Sequence, residues 1–230
     1  MAVFKEPSLV LFKFNPAQDL RDYLKKVDDF QEVAEIIKMV AVALRALHQS
    51  TIALRIEETL DDALGRYRAA QERVIAKLAP ANSQRSERAR QFFIQLVGRA
   101  ATLKKCERVP IHGAFGWDCI LYGDEKFYFY RFEECRRSHP GFDVGSFLAD
   151  LRRFYLLRRK ADQNFYHAGR EFFLETYFAG DLPAWREDVP FFVASAMFLR
   201  LDRLLERPQQ KWQDKVDAFL EQCERIIRET

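Results

Sequence analysis

Between residues 109 and 131 the spacing of apolar residues changes, and that change limits the architectures open to the chain. Upstream, Val33, Ile37, Val40, Leu44 and Leu47 recur every three or four residues, the period of one helix face, in a segment ending near His48 with Asp28 or Asp29 as its cap. The same period predicts helices from about Ala17 (Leu20, Tyr23, Leu24), over 52–78 (Ile56, Leu60, Leu64, Tyr67, Val74, Leu78) and over 86–103 (Phe93, Leu96, Val97, Ala100), with a break at residues 79–83. Downstream it predicts helices over 143–159, 163–178, 189–205 and 210–228, separated by Gly180, Pro183 and Pro208. Between the two blocks, Ile120-Leu121-Tyr122 and Phe127-Tyr128-Phe129-Tyr130 flank Gly123-Asp124-Glu125 and read as a β-hairpin. Residues 8–14, bounded by Pro7 and Asn15-Pro16, read as a strand. The expected fold class is α+β, mostly α, with a central hairpin. We read residues 1–230 as one domain: strand 8–14, helices 17–104, loop and hairpin 109–131, helices 142–230.

Composition excludes several functions and selects none. The net charge of +3 is spread among interspersed acids, with no basic arm and no zinc-finger spacing, so nucleic acid is not an expected partner. No run of about 18 apolar residues is present, so no membrane span is expected. Cys106, Cys119, Cys135 and Cys223 form no Cys-x-x-Cys pair and read as reduced thiols of a cytoplasmic protein. The 21 Phe point to a thick helical core built on large rings, or to an apolar face kept for a partner.

Residues 109–151 carry a more specific signal. They read Val-Pro-Ile-His-Gly-Ala-Phe-Gly-Trp-Asp-Cys-Ile-Leu, the hairpin, Arg-Phe-Glu-Glu, and then His-Pro-Gly-Phe-Asp-Val-Gly-Ser-Phe-Leu-Ala-Asp-Leu. This resembles the catalytic segment of the aminoglycoside phosphotransferase superfamily, which includes choline, homoserine and methylthioribose kinases. The family pattern is His-Gly-Asp, an Asn-Ile/Val-Leu a few residues on, a hairpin, Ile-Asp-Phe/Trp-Glu, and a later Gly-Asp-Pro-x-x-Asp-Leu. Upstream, residues 9–20 resemble the family's hinge strand and following helix, and Ala43-Leu-Arg-Ala-Leu-His48 its helix ending in Leu-His. The resemblance spans about residues 8–205 and implies a kinase-like C-terminal lobe. The family's N-terminal lobe, with its Gly-rich phosphate cover and strand Lys, is expected to be missing, because about seven residues precede the hinge strand.

The resemblance also marks where this chain departs. His112 and Gly113 match, but the Asp of His-Gly-Asp is Ala114, the metal-binding Asn is Cys119, and the metal-binding Asp of Ile-Asp-Phe is Arg131. Phosphoryl transfer of this kind works by positioning and electrostatics, with a carboxylate orienting the acceptor hydroxyl and metal ions bridging the phosphates. Alanine accepts no proton. Mg²⁺ takes hard oxygen ligands, whereas Cys119 is soft and Arg131 carries a permanent positive charge. The expected catalytic set is therefore none, the expected metal none and the expected cofactor none, with ATP and Mg as the alternative. Asp118, Glu133 and Glu134 are the carboxylates that would rescue a metal site. Arg131 with Arg136 or Arg137 would hold an anion, or Arg131 would pair with Asp118 or Glu133 and close the pocket. The resemblance gives Asp143 the role of a brace for the loop through backbone hydrogen bonds, a cap for the following helix being the plainer reading.

The expected function is a non-catalytic, pseudokinase-like binding, scaffolding or regulatory protein. Its alternatives are an active small-molecule phosphotransferase completed by a lobe from elsewhere and a helical interaction protein unrelated to kinases. A protein partner or second copy is expected over the hinge-strand face of Leu9, Leu11 and Phe12. His112, Cys119, Cys135 and His139 would also supply zinc donors, though His112-x₆-Cys119 is unusual spacing, and Cys119 with His112 or His139 a nucleophile and base. Buried thiols acting as small apolar residues are the commoner case. Trp117 reads as a core or rim aromatic, and Arg152, Arg153, Arg158 and Arg159 as a solvated helix face.

Overall fold

The computed structural model describes residues 2–5, 8–11, 18–80, 82–123, 126–156, 163–181, 183–206 and 212–228. Strands β1 (Ala2–Lys5) and β2 (Ser8–Leu11) pair antiparallel, Val3 opposite Val10. The expected strand at 8–14 is seen over 8–11. Residues 12–14, and the side chains of Leu9 and Leu11 that a partner was expected to cover, lie outside the described part. Strand β3 (Gln18–Asp19) leads into α1 (Leu20–Leu24), whose start is capped by Asp19, so the first helix begins three residues later than the apolar spacing predicts.

Four helices follow the predicted pattern closely. Helix α2 (Phe30–His48) is capped by Asp29 and buries Val33, Ile37, Val40 and Leu44. Helix α4 (Ser83–Ala100) starts at the Asn82 cap. Helices α5 (Gly141–Leu156) and α6 (Gln163–Phe178) lie where the period put them. Helix α3 (Leu60–Leu78) differs, because it was expected from residue 52. Its first eight expected residues are instead extended: the Glu58 amide donates to the Arg137 carbonyl at 2.9 Å and the Arg137 amide to the Ile56 carbonyl at 2.9 Å. Those bonds use the groups a helix would need. Thr59 and Asp62 then form a reciprocal capping box that restarts the chain as helix.

Between α4 and α5 lie β4 (Val109–Ile111), β5 (Ile120–Gly123), β6 (Lys126–Phe129) and β7 (Arg136–Ser138). The hairpin β5–β6 is the one the sequence marks, and β3 adds to its edge. Strands β4 and β7 pair antiparallel. Three residues each, with Pro110 in one and two arginines in the other, they show no alternation to read.

Helix α7 (Val189–Glu206) is the centre of the helical layer, packed on α3, α5 and α8 (Trp212–Arg228). Its run from Phe191 to Phe198 is buried on every side, as expected of a helix surrounded by others. Helix α5 approaches it closely. A Cβ on Gly145 would fall 2.4 Å from the Phe192 carbonyl carbon, so only glycine permits this crossing. Most of the described Phe side chains are in this core. Phe92, Phe115, Phe147, Phe173, Phe191, Phe192 and Phe198 are fully enclosed, each worth about 3–5 kcal/mol against truncation to Ala.

Candidate functional site

The loop after β4 is held from below by one carboxylate. Asp143, 1% exposed in the first turn of α5, accepts from the His112 amide (Oδ2, 2.6 Å) and the Gly113 amide (Oδ1, 2.9 Å). His48, at the end of α2, places Nε2 3.2 Å from the same carboxylate and Nδ1 2.6 Å from the Tyr177 hydroxyl. A neutral ring satisfies both contacts, donating from Nε2 and accepting at Nδ1. Burial, then the charge of Asp143, pushes the Tyr177 phenol up, which keeps it a donor. The turn itself needs Gly113. Its φ is +82°, and a Cβ there would lie 2.2 Å from the Glu134 carbonyl oxygen. The His112 ring folds back under the hairpin, where Nε2 donates to the Tyr130 carbonyl at 2.8 Å, so the proton is on that nitrogen.

Ala114, Cys119 and Arg131 surround the same loop. The Cys119 thiol donates to the Ala114 carbonyl at 3.3 Å. Burial first, then the neighbouring Asp118 charge, pushes this thiol up to about 11, so it is neither a ready thiolate nucleophile nor a ready metal ligand. Arg131 is left-handed, with φ 66° and ψ 52°, an uncommon backbone for a non-glycine residue. Its Nη1 donates to Asp118 Oδ2 at 3.2 Å. Glu133 is exposed in the short 3₁₀ turn Phe132–Glu134. Glu134, Arg136 and Arg137 are engaged elsewhere. Arg136 is buried, with Nε 2.9 Å from Glu58 and Nη1 on the Glu134 carbonyl and carboxylate. Arg137 donates to the Arg108 carbonyl at 2.7 Å. None of Glu133, Glu134, Arg136 and Arg137 lines the cleft that the loop borders.

That cleft has a volume of about 540 Å³, within the usual range of small-molecule sites. Gly113, Ala114, Gly116 and Asp118 form one wall. Asp150 stands at its base, 4% exposed, accepting from the Trp117 amide at 3.0 Å and from Arg200 Nε at 2.7 Å. Burial alone would raise this carboxyl, but the Arg200 charge and hydrogen bond outweigh it and hold Asp150 down at about 2. Arg200 also donates to the Ser146 carbonyl, tying α7 to α5.

Other expectations meet different surroundings. Arg152 is 3% exposed and donates to Gln222 at 2.8 Å, so it does not belong to a solvated face, whereas Arg153 is half-buried and lines the cleft. The Arg152 guanidinium lies over the ring of Tyr166 on α6, 5.1 Å from its centroid. Arg158 and Arg159 lie outside the described residues. His139 stacks on Phe192, its Nδ1 accepting from the Gly141 amide, and burial pushes its pKa down to about 4. His112, Cys119, Cys135 and His139 do not gather into a zinc centre. Among the described residues no group of three or more His, Cys, Asp or Glu side chains is placed to hold a metal ion. Trp117 is buried between Phe147 and Phe154, not stacked at the cleft. No helix among the described residues is long and apolar enough to cross a membrane.

Sequence reasoning missed His48, Glu58, Asp150 and Arg200 as parts of the site. Asp150 left a trace, an acid on the apolar face formed by Val144, Phe147, Leu148 and Leu151. The Glu58–Arg136 pair left none, being joined across 78 residues.

Residues 4–191 match a family described as "Phosphotransferase enzyme family". Among solved structures, the fold is similar to a choline/ethanolamine kinase family protein from Mesorhizobium loti (TM-score 0.58, 16% identity, 93% of this chain and 68% of that one). It is also similar to a glucosamine kinase solved with glucosamine, ADP and inorganic phosphate (0.64, 15%, 94% and 58%). A choline kinase from Cryptosporidium parvum Iowa II scores 0.63 at 13% identity, covering 94% and 70%. The chain thus spans between 58% and 70% of these relatives' lengths. A search of curated proteins returns no match.

Proposed function

Because the chain belongs to the phosphotransferase enzyme family, we propose that it is a member that has given up phosphoryl transfer and serves as a binding or regulatory protein on a kinase-like scaffold. The observation that carries this reading is the triplet Ala114, Cys119 and Arg131 around an otherwise well-braced loop. The brace is intact, since Asp143 holds both the His112 and Gly113 amides. The groups it would present to a nucleotide are a methyl, a buried thiol and a guanidinium.

The residues present do not fit a magnesium–nucleotide complex. Mg²⁺ needs several oxygen donors at near-octahedral positions. Cys119 offers a protonated sulfur already spent on the Ala114 carbonyl. Asp118, the carboxylate next to Cys119 in the chain, is paired with Arg131, whose fixed charge opposes a cation there.

A second reading is favoured by the chain's 58% to 70% coverage of its solved relatives: an active small-molecule phosphotransferase completed by further residues or a second chain. Thermal unfolding separates the two. The binding-protein reading expects Mg²⁺ to add nothing to any melting-temperature shift that ATP gives alone. A Mg²⁺-dependent rise with ATP would favour the enzyme.

A further inference from the structure

We infer that the cleft beside the loop binds an organic anion, a small molecule with an apolar body and a carboxylate or phosphate head. The inference rests on reading this cleft as the protein's binding site, but not on whether the protein is catalytic. Six cationic side chains line it: Arg21, Arg66, Arg153, Arg200, Arg203 and Lys215. Against them stand two lining carboxylates, Asp118 and Asp150. Both are engaged, Asp118 by Arg131 and Asp150 by Arg200 and Arg153. Arg66 has its own partner in Glu58 outside the cleft.

Two of the cations lack a carboxylate. Among the described residues, neither Arg21 nor Arg203 forms an ion pair, and Arg21 Nε is buried without a hydrogen-bond partner. Arg21 and Arg203 thus line the cleft without a carboxylate to neutralise them, and an anion there would supply the missing counter-charge. The cations also act on one another. Burial, with the charges of Arg200 and Arg21, lowers the proton affinity of Arg153 more than Asp150 raises it. An incoming anion would relieve that repulsion, and the guanidinium fork suits carboxylate and phosphate oxygens alike. Tyr67, Phe142 and Phe219 supply apolar wall, Tyr67 stacked on Phe142 at 6.1 Å between centroids. A positive cleft with low-dielectric walls concentrates such ligands and rejects cations.

The test uses the full chain and four probes sharing one ring: phenyl phosphate, benzoate, benzylamine and benzyl alcohol. Titration at low salt is followed by amide NMR. The inference expects one or both anions to shift the Gly113 and Gly116 amides, benzylamine and benzyl alcohol to shift neither, and added salt to weaken binding. Phenyl phosphate against benzoate tells a phosphate head from a carboxylate one. Arg21→Gln and Arg203→Gln should each weaken the anion about tenfold, whereas Lys25→Gln, at an exposed pair away from the cleft, should not. Arg203 is exposed, so its variant keeps the fold should Arg21→Gln prove unstable. Benzylamine binding as tightly as the anions, still cleft amides, or unchanged affinity in Arg203→Gln would each overturn the inference. Nucleotide turnover would overturn the non-catalytic reading alone and leave the anion preference standing.

Discussion

The guanidinium of Arg131 reaches the carboxylate of Asp118 across 3.2 Å, from a backbone held in the left-handed region at φ 66°. The position that the resemblance equates with a metal-binding Asp thus carries a cation, and that cation is turned on the carboxylate of Asp118. Both side chains are well exposed, at 54% and 37%, so solvent screens the pair and it contributes about 0–1 kcal/mol at most. Its consequence is for chemistry more than for stability.

That balance predicts an unusual mutational order. Arg131→Ala loses the pair and keeps the strained backbone, whereas Arg131→Gly relieves a left-handed penalty of about 1–2 kcal/mol while freeing the unfolded chain somewhat. Urea denaturation should find Arg131→Gly more stable than Arg131→Ala by about 1 kcal/mol. The reverse order would mean that the φ 66° geometry is not strained.

Asp143 should be far less tolerant. Asp143→Ala leaves two loop amides and His48 without their acceptor in a site closed to water, a loss of about 3 kcal/mol or more. A chemical-denaturation midpoint near that of the wild-type chain would show that the loop is braced by something else.

Two glycines are predicted to respond in opposite directions. Gly113→Ala forces a Cβ to 2.2 Å from the Glu134 carbonyl at positive φ and should destabilise by about 2 kcal/mol or more. Gly65→Ala, exposed inside α3 with nothing within 4 Å of the new Cβ, should stabilise by about 0.5–1 kcal/mol. Thermal melts of the two variants check both signs.

Much of the helical layout was readable because burial repeats with the helix period, as along Val33, Ile37, Val40 and Leu44. The hairpin was readable because apolar strands flank a Gly-Asp-Glu turn. The extended stretch before α3 was not, since what holds it is the backbone of Arg137, far along the chain. The loop residues His112 to Cys119 could be picked out by their order. The ion pairs that set the cleft's charge could not. Asp150 meets Arg200 only when α5 packs on α7, and Glu58 meets Arg136 only when β7 is in place. The cationic character of the cleft is likewise a property of packing, because Arg21, Arg153 and Arg203 are scattered in sequence and converge in space.

Asp150 also gives the protein a defined acid sensitivity. Its folded pKa, about 2, lies below the value of 3.8 for a free side chain, so ionised Asp150 adds stability that is fully present above about pH 4. As the pH falls from about 4 to about 2 that contribution, roughly 2 kcal/mol, disappears. In Asp150→Asn the stability curve should lie below the wild-type curve at pH 6 and converge on it toward pH 2. Parallel curves over that interval would show that Asp150 does not titrate as its contacts with Arg200 and Trp117 require.

Loss of phosphoryl transfer is tested most directly by incubating the purified chain with γ-labelled ATP, Mg²⁺ and a panel of small-molecule alcohols and amines, and measuring ADP release. The account predicts release at the no-protein background, unchanged in Asp118→Asn. Mg²⁺-dependent release above background that Asp118→Asn abolishes would contradict it, by showing that this carboxylate leaves Arg131 to serve a metal.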